Sequence, residues 1–130
     1  MTTPQERQPP ATLECVVLDC PDPGQLAAFY RSLLGGTVNQ ADPRWAVSER
    51  WATLHTPTGQ VLAFQAVDPY VPPRWPDPAQ PQQFHLDFHV EALDRAHQSV
   101  LALGGRLLDT ARGWRVYSDP AGHPFCLVGA

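Results

Sequence analysis

The sequence predicts an α+β fold made of two successive strand-helix-strands units, and three observations carry that expectation. Each half opens on a short apolar stretch, LECVVLDC at residues 13–20 and FHLDFHV at 84–90. Each stretch leads into a one-sided helical pattern closed by a glycine pair, Gly35-Gly36 or Gly104-Gly105. Two further β-favouring runs then flank a turn that carries proline and glycine.

In the first half, Asp22-Pro23 supplies an N-cap and a proline at the first helical position, so a helix is expected to start there. Leu26, Phe29, Tyr30, Leu33 and Leu34 fall at i, i+3, i+4, i+7 and i+8. They form one apolar stripe that has to pack on a sheet. Strands are expected at residues 51–56 and 60–67, around Pro57-Thr58-Gly59. In the second half a strand is expected at 84–90 and a helix at 92–103, with Leu93, Ala96, Val100 and Leu103 on one face. Strands at 114–118 and 123–128 flank Asp119-Pro120-Ala121-Gly122. Between the halves runs DPYVPPRWPDPAQPQQ, whose prolines at 69, 72, 73, 76, 78 and 81 favour an extended, semi-rigid connector over helix or sheet.

A chain of 130 residues buries roughly two-thirds of its unfolded surface and has material for one core. The expected organisation is a loose arm at 1–11 and a single domain at 12–130. Within it, module one spans 12–68, the connector 69–82 and module two 83–130. The register of the two units agrees arithmetically. A shift of 70 pairs Cys15 with His85, Leu33 with Leu103 and Gly35 with Gly105. A shift of 63 pairs Trp51 with Trp114, Pro57 with Pro120 and Gly59 with Gly122, so element order is kept, as in a duplicated unit.

Nine Lys and Arg against 13 Asp and Glu give a formal net charge of −4 with no basic run, which disfavours nucleic acid and anionic lipid as partners. Cys15, Cys20 and Cys126 lie far apart, without a Cys-x-x-Cys pair, and an odd count fits poorly with a disulfide framework. The opening MTTPQERQPP lacks the apolar stretch of a signal peptide, and no segment approaches the roughly 20 apolar residues of a membrane span. The expectation is a cytoplasmic protein.

Strand alternation sorts the two opening strands by face. Val16, Leu18 and Cys20, and Leu86, Phe88 and Val90, are expected toward the helices. That leaves Cys15, Val17 and Asp19, and His85, Asp87 and His89, on an inner cup. In the closing strands Phe64, Phe125 and Leu127 read as core, with Val61, Ala63, Gln65, Cys126 and Val128 toward the cup. His85-x-Asp87-x-His89 is the densest polar group, and its period of two puts all three on one face as candidate acid/base residues or metal ligands. The alternative is that some of them sit at the rim in water. Tyr70 and Trp75 on the connector, with Gln65 and Asp19 from the strands, are candidates for binding an organic ligand. Trp51 and Trp114 begin equivalent strands. His55 and His123 read as turn or surface residues, Arg50, Arg112 and Arg115 as solvated charges, and His97 as exposed on its helix.

The stretches VVLDCPDPGQLAAFYRSLLGG, LAFQAVDPYVPPRWPDPAQPQQFHLDFHV and WRVYSDPAGHPFCLV resemble the glyoxalase-like branch of the vicinal oxygen chelate (VOC) superfamily, relatives of glyoxalase I and the bleomycin-resistance proteins. The resemblance spans residues 13–128. It implies paired βαβββ modules forming an open, cupped mixed sheet with helices outside, and frequent homodimers. In the enzymes it implies one divalent metal held by four side chains. Those positions fall here on Cys15, Ala63, His85 and Cys126, where glyoxalase I has His or Gln and Glu, and only His85 matches. Ala63 has no donor atom and no carboxylate occupies either closing-strand position, so methylglyoxal isomerisation is expected to be absent. Cys15, His85 and Cys126 together could hold zinc. The favoured reading is that the cysteines are small apolar fillers and that no metal cofactor is needed.

Three functional readings follow. In the first, the chain binds a small organic molecule in its cup without glyoxalase I activity. In the second, it is a divalent-metal-dependent enzyme of lyase, isomerase or dioxygenase type that uses His85. In the third, it is a partner-binding accessory domain with a vestigial cup.

Overall fold

The computed structural model of the chain describes residues 9–10, 12–45, 48–81, 85–111 and 113–129. Module one contains β1 (Val16–Cys20), α1 (Pro23–Leu34), β2 (Thr37–Val38), β3 (Trp51–His55) and β4 (Val61–Ala66). Module two contains β5 (Leu86–Val90), α2 (Leu93–Ala102), β6 (Arg106–Ala111), β7 (Trp114–Ser118) and β8 (Pro124–Gly129). Each module makes a four-stranded sheet, in the orders β1-β4-β3-β2 and β5-β8-β7-β6. The outer strand of each unit's opening pairs parallel with the closing strand, and the other pairs are antiparallel. Both sheets are mixed and open, as the sequence leads one to expect of a two-module α+β fold.

The duplication holds at the level of backbone register. Val16 pairs with Leu62 in module one, and Leu86, 70 residues on, pairs with Phe125, 63 residues on from Leu62. Trp51 opposite Gln65 becomes Trp114 opposite Val128 by the same shift of 63. β2 and β6 are the two strands that residue patterning does not reveal. β2 is only two residues long, and β6 is exposed along its whole length with a register irregularity between Leu107 and Asp109. Neither shows the burial alternation that marks a strand in sequence.

α1 begins and ends where its caps dictate. The Asp22 side chain accepts from the Gln25 N–H at 3.2 Å, Pro23 follows, and Gly35 and Gly36 close the helix at φ of +79° and +100°. A Cβ at Gly36 would lie 2.2 Å from the His55 carbonyl oxygen, so only glycine fits this approach to β3. α2 starts at Ala92 without a side-chain cap.

The helix-facing side of both sheets makes one continuous core. Leu26, Phe29 and Tyr30 of α1 are buried together with Leu18, Phe64, Phe125 and Leu127. Tyr30 stacks on Phe64 of its own module and meets Phe88 and Phe125 of the other edge-on. Each such ring contributes roughly 1.5–3 kcal/mol by leaving water, so α1 fastens module one to module two. Alternation along β1 and β5 is as expected: Val17, Asp19, Asp87 and His89 are exposed while Leu18 and Cys20 are buried. The arm expected at 1–11 and the start of the strand expected at 84 fall almost wholly outside the described residues, as does Arg112. The described part of the connector carries no helix or strand. It is less uniformly extended than its prolines suggest, because Arg74 N–H donates to the Gln80 carbonyl and Gln80 N–H to Asp77, folding 74–80 into turns.

Candidate ligand cavity and metal-donor cluster

A cavity of about 740 Å³ lies between the modules with the connector along one wall. Asp19 and Gln65 from module one, Tyr70 from the connector and His85 from module two all line it, together with Trp51, Gln80 and His123. Strand alternation puts the first two on this side, because the intervening positions of β1 and β4 are taken by core residues. A smaller cavity of about 300 Å³ adjoins it, sharing His85 and Pro124, and is lined by Trp75, Asp87, Trp114 and Cys126. Trp75 and Trp114 thus face one space, from the connector and from β7.

His85, Asp87 and Cys126 have ligand atoms within 4.8 Å of one another. The register explains the grouping: Asp87 lies directly opposite Cys126 across β5 and β8, and His85 is two residues before Asp87 on the same face. His85 Nε2 is 3.2 Å from Asp87 Oδ1. Burial pushes the Cys126 thiol up to about 11, and Asp87, which accepts its hydrogen bond, adds to the effect. One imidazole, one carboxylate and one thiol fit a zinc-like ion better than a hard, oxygen-seeking one. Asp87 therefore takes the place in this donor set that the sequence offered to Cys15. Cys15 is not part of the group. It lines a third cavity of about 820 Å³, with His89, Leu33 and Pro57. Ala63, the remaining family position, is fully buried.

A polar clasp holds the wall of the main cavity, and sequence reasoning missed most of it. Asp119 is 3% exposed; its Oδ1 accepts from the backbone N–H of Ala121 and His123, and its Oδ2 from the Tyr30 hydroxyl at 2.6 Å. Burial raises the Asp119 carboxyl above its ordinary value against the lowering effect of those donors, and raises the Tyr30 phenol well above its own. The Tyr70 hydroxyl donates to the Ala121 carbonyl at 2.7 Å and contacts His123 Nε2, which also bonds the Asp19 carbonyl oxygen. His123 sits at the turn, as the sequence suggested, and is in addition a tie between modules. Its position after the Asp-Pro-Ala-Gly turn signals a turn, but nothing local signals that α1 covers that turn.

Other surface readings are also corrected. His97 is half-buried, with Nδ1 2.8 Å from the Tyr117 hydroxyl, and Arg115 pairs with Asp94 at 2.7 Å, because both flank the α2 face of β7. His55 is half-buried with Trp45 edge-on against it at 5.4 Å, whereas Arg50 is exposed, as expected, and donates to the Ala66 carbonyl.

Two βαβββ modules with helices on one side and an open, donor-bearing face on the other define a protein of the VOC type. The chain belongs to the glyoxalase-like domain family, whose model matches residues 15–128. Among solved structures it is similar to a glyoxalase/bleomycin resistance protein/dioxygenase family enzyme from Burkholderia phytofirmans PsJN, at 20% identity and TM-score 0.68, over 92% of this chain and 98% of that one. It is also similar to hypothetical protein SA1046 from S. aureus, at 15% identity and TM-score 0.66, over 94% and 100% of the two chains. A third is a mutant of the fosfomycin resistance protein FosX from Listeria monocytogenes, complexed with Mn(II) and a dihydroxypropylphosphonic acid, at 17% identity and TM-score 0.65 over 93% of each chain. At such identities the likeness concerns the fold. No curated protein sequence matches the chain.

Proposed function

We propose that this protein binds a small organic molecule in the connector-walled cavity between its modules, and does not isomerise methylglyoxal by the glyoxalase I route. The observation that carries the reading is the convergence of Asp19, Gln65, Tyr70 and His85, from both modules and the connector, on one space of about 740 Å³, which is the size of a small-molecule site. Trp75 and Trp114 extend an aromatic wall from it. A thermal-shift screen of the purified protein against aromatic metabolites and antibiotics tests this, because a ligand of the native state must raise its melting temperature. For a compound that does so, Trp75→Ala is expected to abolish the shift. An unchanged shift removes Trp75 from the site. Lactoylglutathione formation with added nickel or zinc would overturn the second half of the proposal.

A second reading is a divalent-metal-dependent enzyme, favoured by the proximity of the His85, Asp87 and Cys126 ligand atoms. Those three side chains would hold the ion, and His89 stands two residues along β5 on the same face. Bound there, the ion would act as a Lewis acid toward a substrate oxygen. Elemental analysis giving about one zinc per chain, lost in Cys126→Ser, would decide for this reading.

A homodimer belongs to the same proposal. Trp114 and Val128 are 40% and 38% exposed side by side, and the edge strand β6 carries Leu107 and Leu108 at similar exposure, apolar surface of the kind that a partner covers. Sedimentation at several concentrations tests it. A cytoplasmic location is proposed from three free cysteines. No described helix is long and apolar enough to cross a membrane.

A further inference from the structure

We propose that the main cavity selects organic cations, taking a primary amine on an apolar or aromatic body with its ammonium directed at the Asp19 carboxylate. This rests on the cavity being a ligand site and adds the charge of the ligand. No lysine or arginine is found among the described lining residues of this cavity or of the smaller one beside it. Their formal charges are the carboxylates of Asp19 and Asp87. Asp19 is exposed, and its carboxylate makes no ion pair or hydrogen bond among the described residues.

The two histidines on the lining do not offset this. His85 stands against Asp87 at 3.2 Å, and His123 is engaged by the Asp19 carbonyl and the Tyr70 hydroxyl. Behind the wall lies a further carboxylate, Asp119, under Tyr30. A cleft lined by one sign of charge with low-dielectric walls concentrates ions of the opposite sign. An anion entering here would lose its water and meet carboxylates without a lysine or arginine to receive it.

The apolar part of the lining suits the same ligand. Trp51 and Tyr70 place aromatic rings on the cavity, and ring faces attract cations as well as flat apolar groups.

The test uses three probes that share one aromatic body: naphthylmethylamine, naphthylmethanol and naphthylmethylphosphonate, titrated calorimetrically into the full chain. The amine is expected to bind about tenfold more tightly than the alcohol, and the phosphonate most weakly. Added salt is expected to shrink the amine's advantage. Asp19→Asn, a change at an exposed position, is expected to bring the amine to the level of the alcohol measured on the same variant. A phosphonate or alcohol that binds as tightly as the amine overturns the charge inference and leaves the cavity a ligand site. So does an amine preference that survives Asp19→Asn. If none of the three binds, the charge inference and the binding reading fall together.

Discussion

Module one and module two place their strands in the same register, yet the middle positions of their inner faces carry different side chains. On the first, Ala63 and Thr53 are buried, the Thr53 N–H is held by the Asn39 side chain, and Trp45 stands against His55. On the second, the equivalent positions carry Cys126 and Val116, also buried, with Asp87 on β5 and His85 just before it beside them and Trp75 on the cavity that they border. The register is set by the apolar residues that face the helices, since slipping one position would turn them all into water. The inner positions are under no such demand, so a duplicated backbone can carry Ala63 and Thr53 in one copy and, in the other, Cys126 and Val116 beside a group of metal-donor side chains.

Placing the family's glutamate at both closing-strand positions sharpens that contrast most. Ala63→Glu is expected to cost about 4 kcal/mol or more, because it adds volume and a charge to a fully buried position. Cys126→Glu, beside open space, is expected to cost no more than about half of that. Urea unfolding compares the two, and equal losses would mean that both faces are equally closed.

The two turns give a second comparison. Asp119 and Thr56 occupy equivalent places, each before a proline and each accepting the N–H four residues on, His123 or Gln60. Only Asp119 also receives the Tyr30 hydroxyl from across the module boundary. Asp119→Ala is therefore expected to cost about 3 kcal/mol by stranding buried donors, against less than about 1 kcal/mol for Thr56→Ala. The pH dependence has a definite sign. The folded-state Asp119 carboxyl lies above its unfolded value, so the stability it contributes is fully present below the unfolded value and is lost as pH rises through the folded one. Denaturant midpoints across that window should fall with rising pH in the native chain, and this component should vanish in Asp119→Asn.

The smallest effect concerns metal. Asp87→Asn and Cys126→Ser are each expected to weaken zinc binding at least about tenfold, near 1.4 kcal/mol, while Cys15→Ser leaves it unchanged. Calorimetric titration of zinc reads all three. A loss in Cys15→Ser would restore the module-spanning donor set in place of the one built by module two.

Much of the fold was legible because its signals are local. Asp22-Pro23 and Gly35-Gly36 frame α1 wherever the chain goes next, and alternation along 16–20 and 86–90 sorts faces without knowledge of the partner strand. The shifts of 70 and 63 then foretell that Trp51 and Trp114 open matching strands. β2 and β6 escaped because one is too short and the other too exposed to leave a pattern. The candidate residues Asp19, Gln65, Tyr70, Trp75 and His85 could be named, but not which of them share a space.

By itself, then, the sequence determined the module: its helix caps, its strand faces and its repeat, all fixed by interactions among residues close along the chain. The tertiary structure decided the neighbourhood of each inner side chain. Asp87 joins His85 and Cys126 because β8 lies beside β5, and Cys15 does not because β1 pairs with β4. Asp119 is buried because α1 crosses from one module onto the turn of the other. Those outcomes depend on contacts between residues as far apart in the chain as Tyr30 and Asp119, and such contacts leave no periodic trace in the sequence.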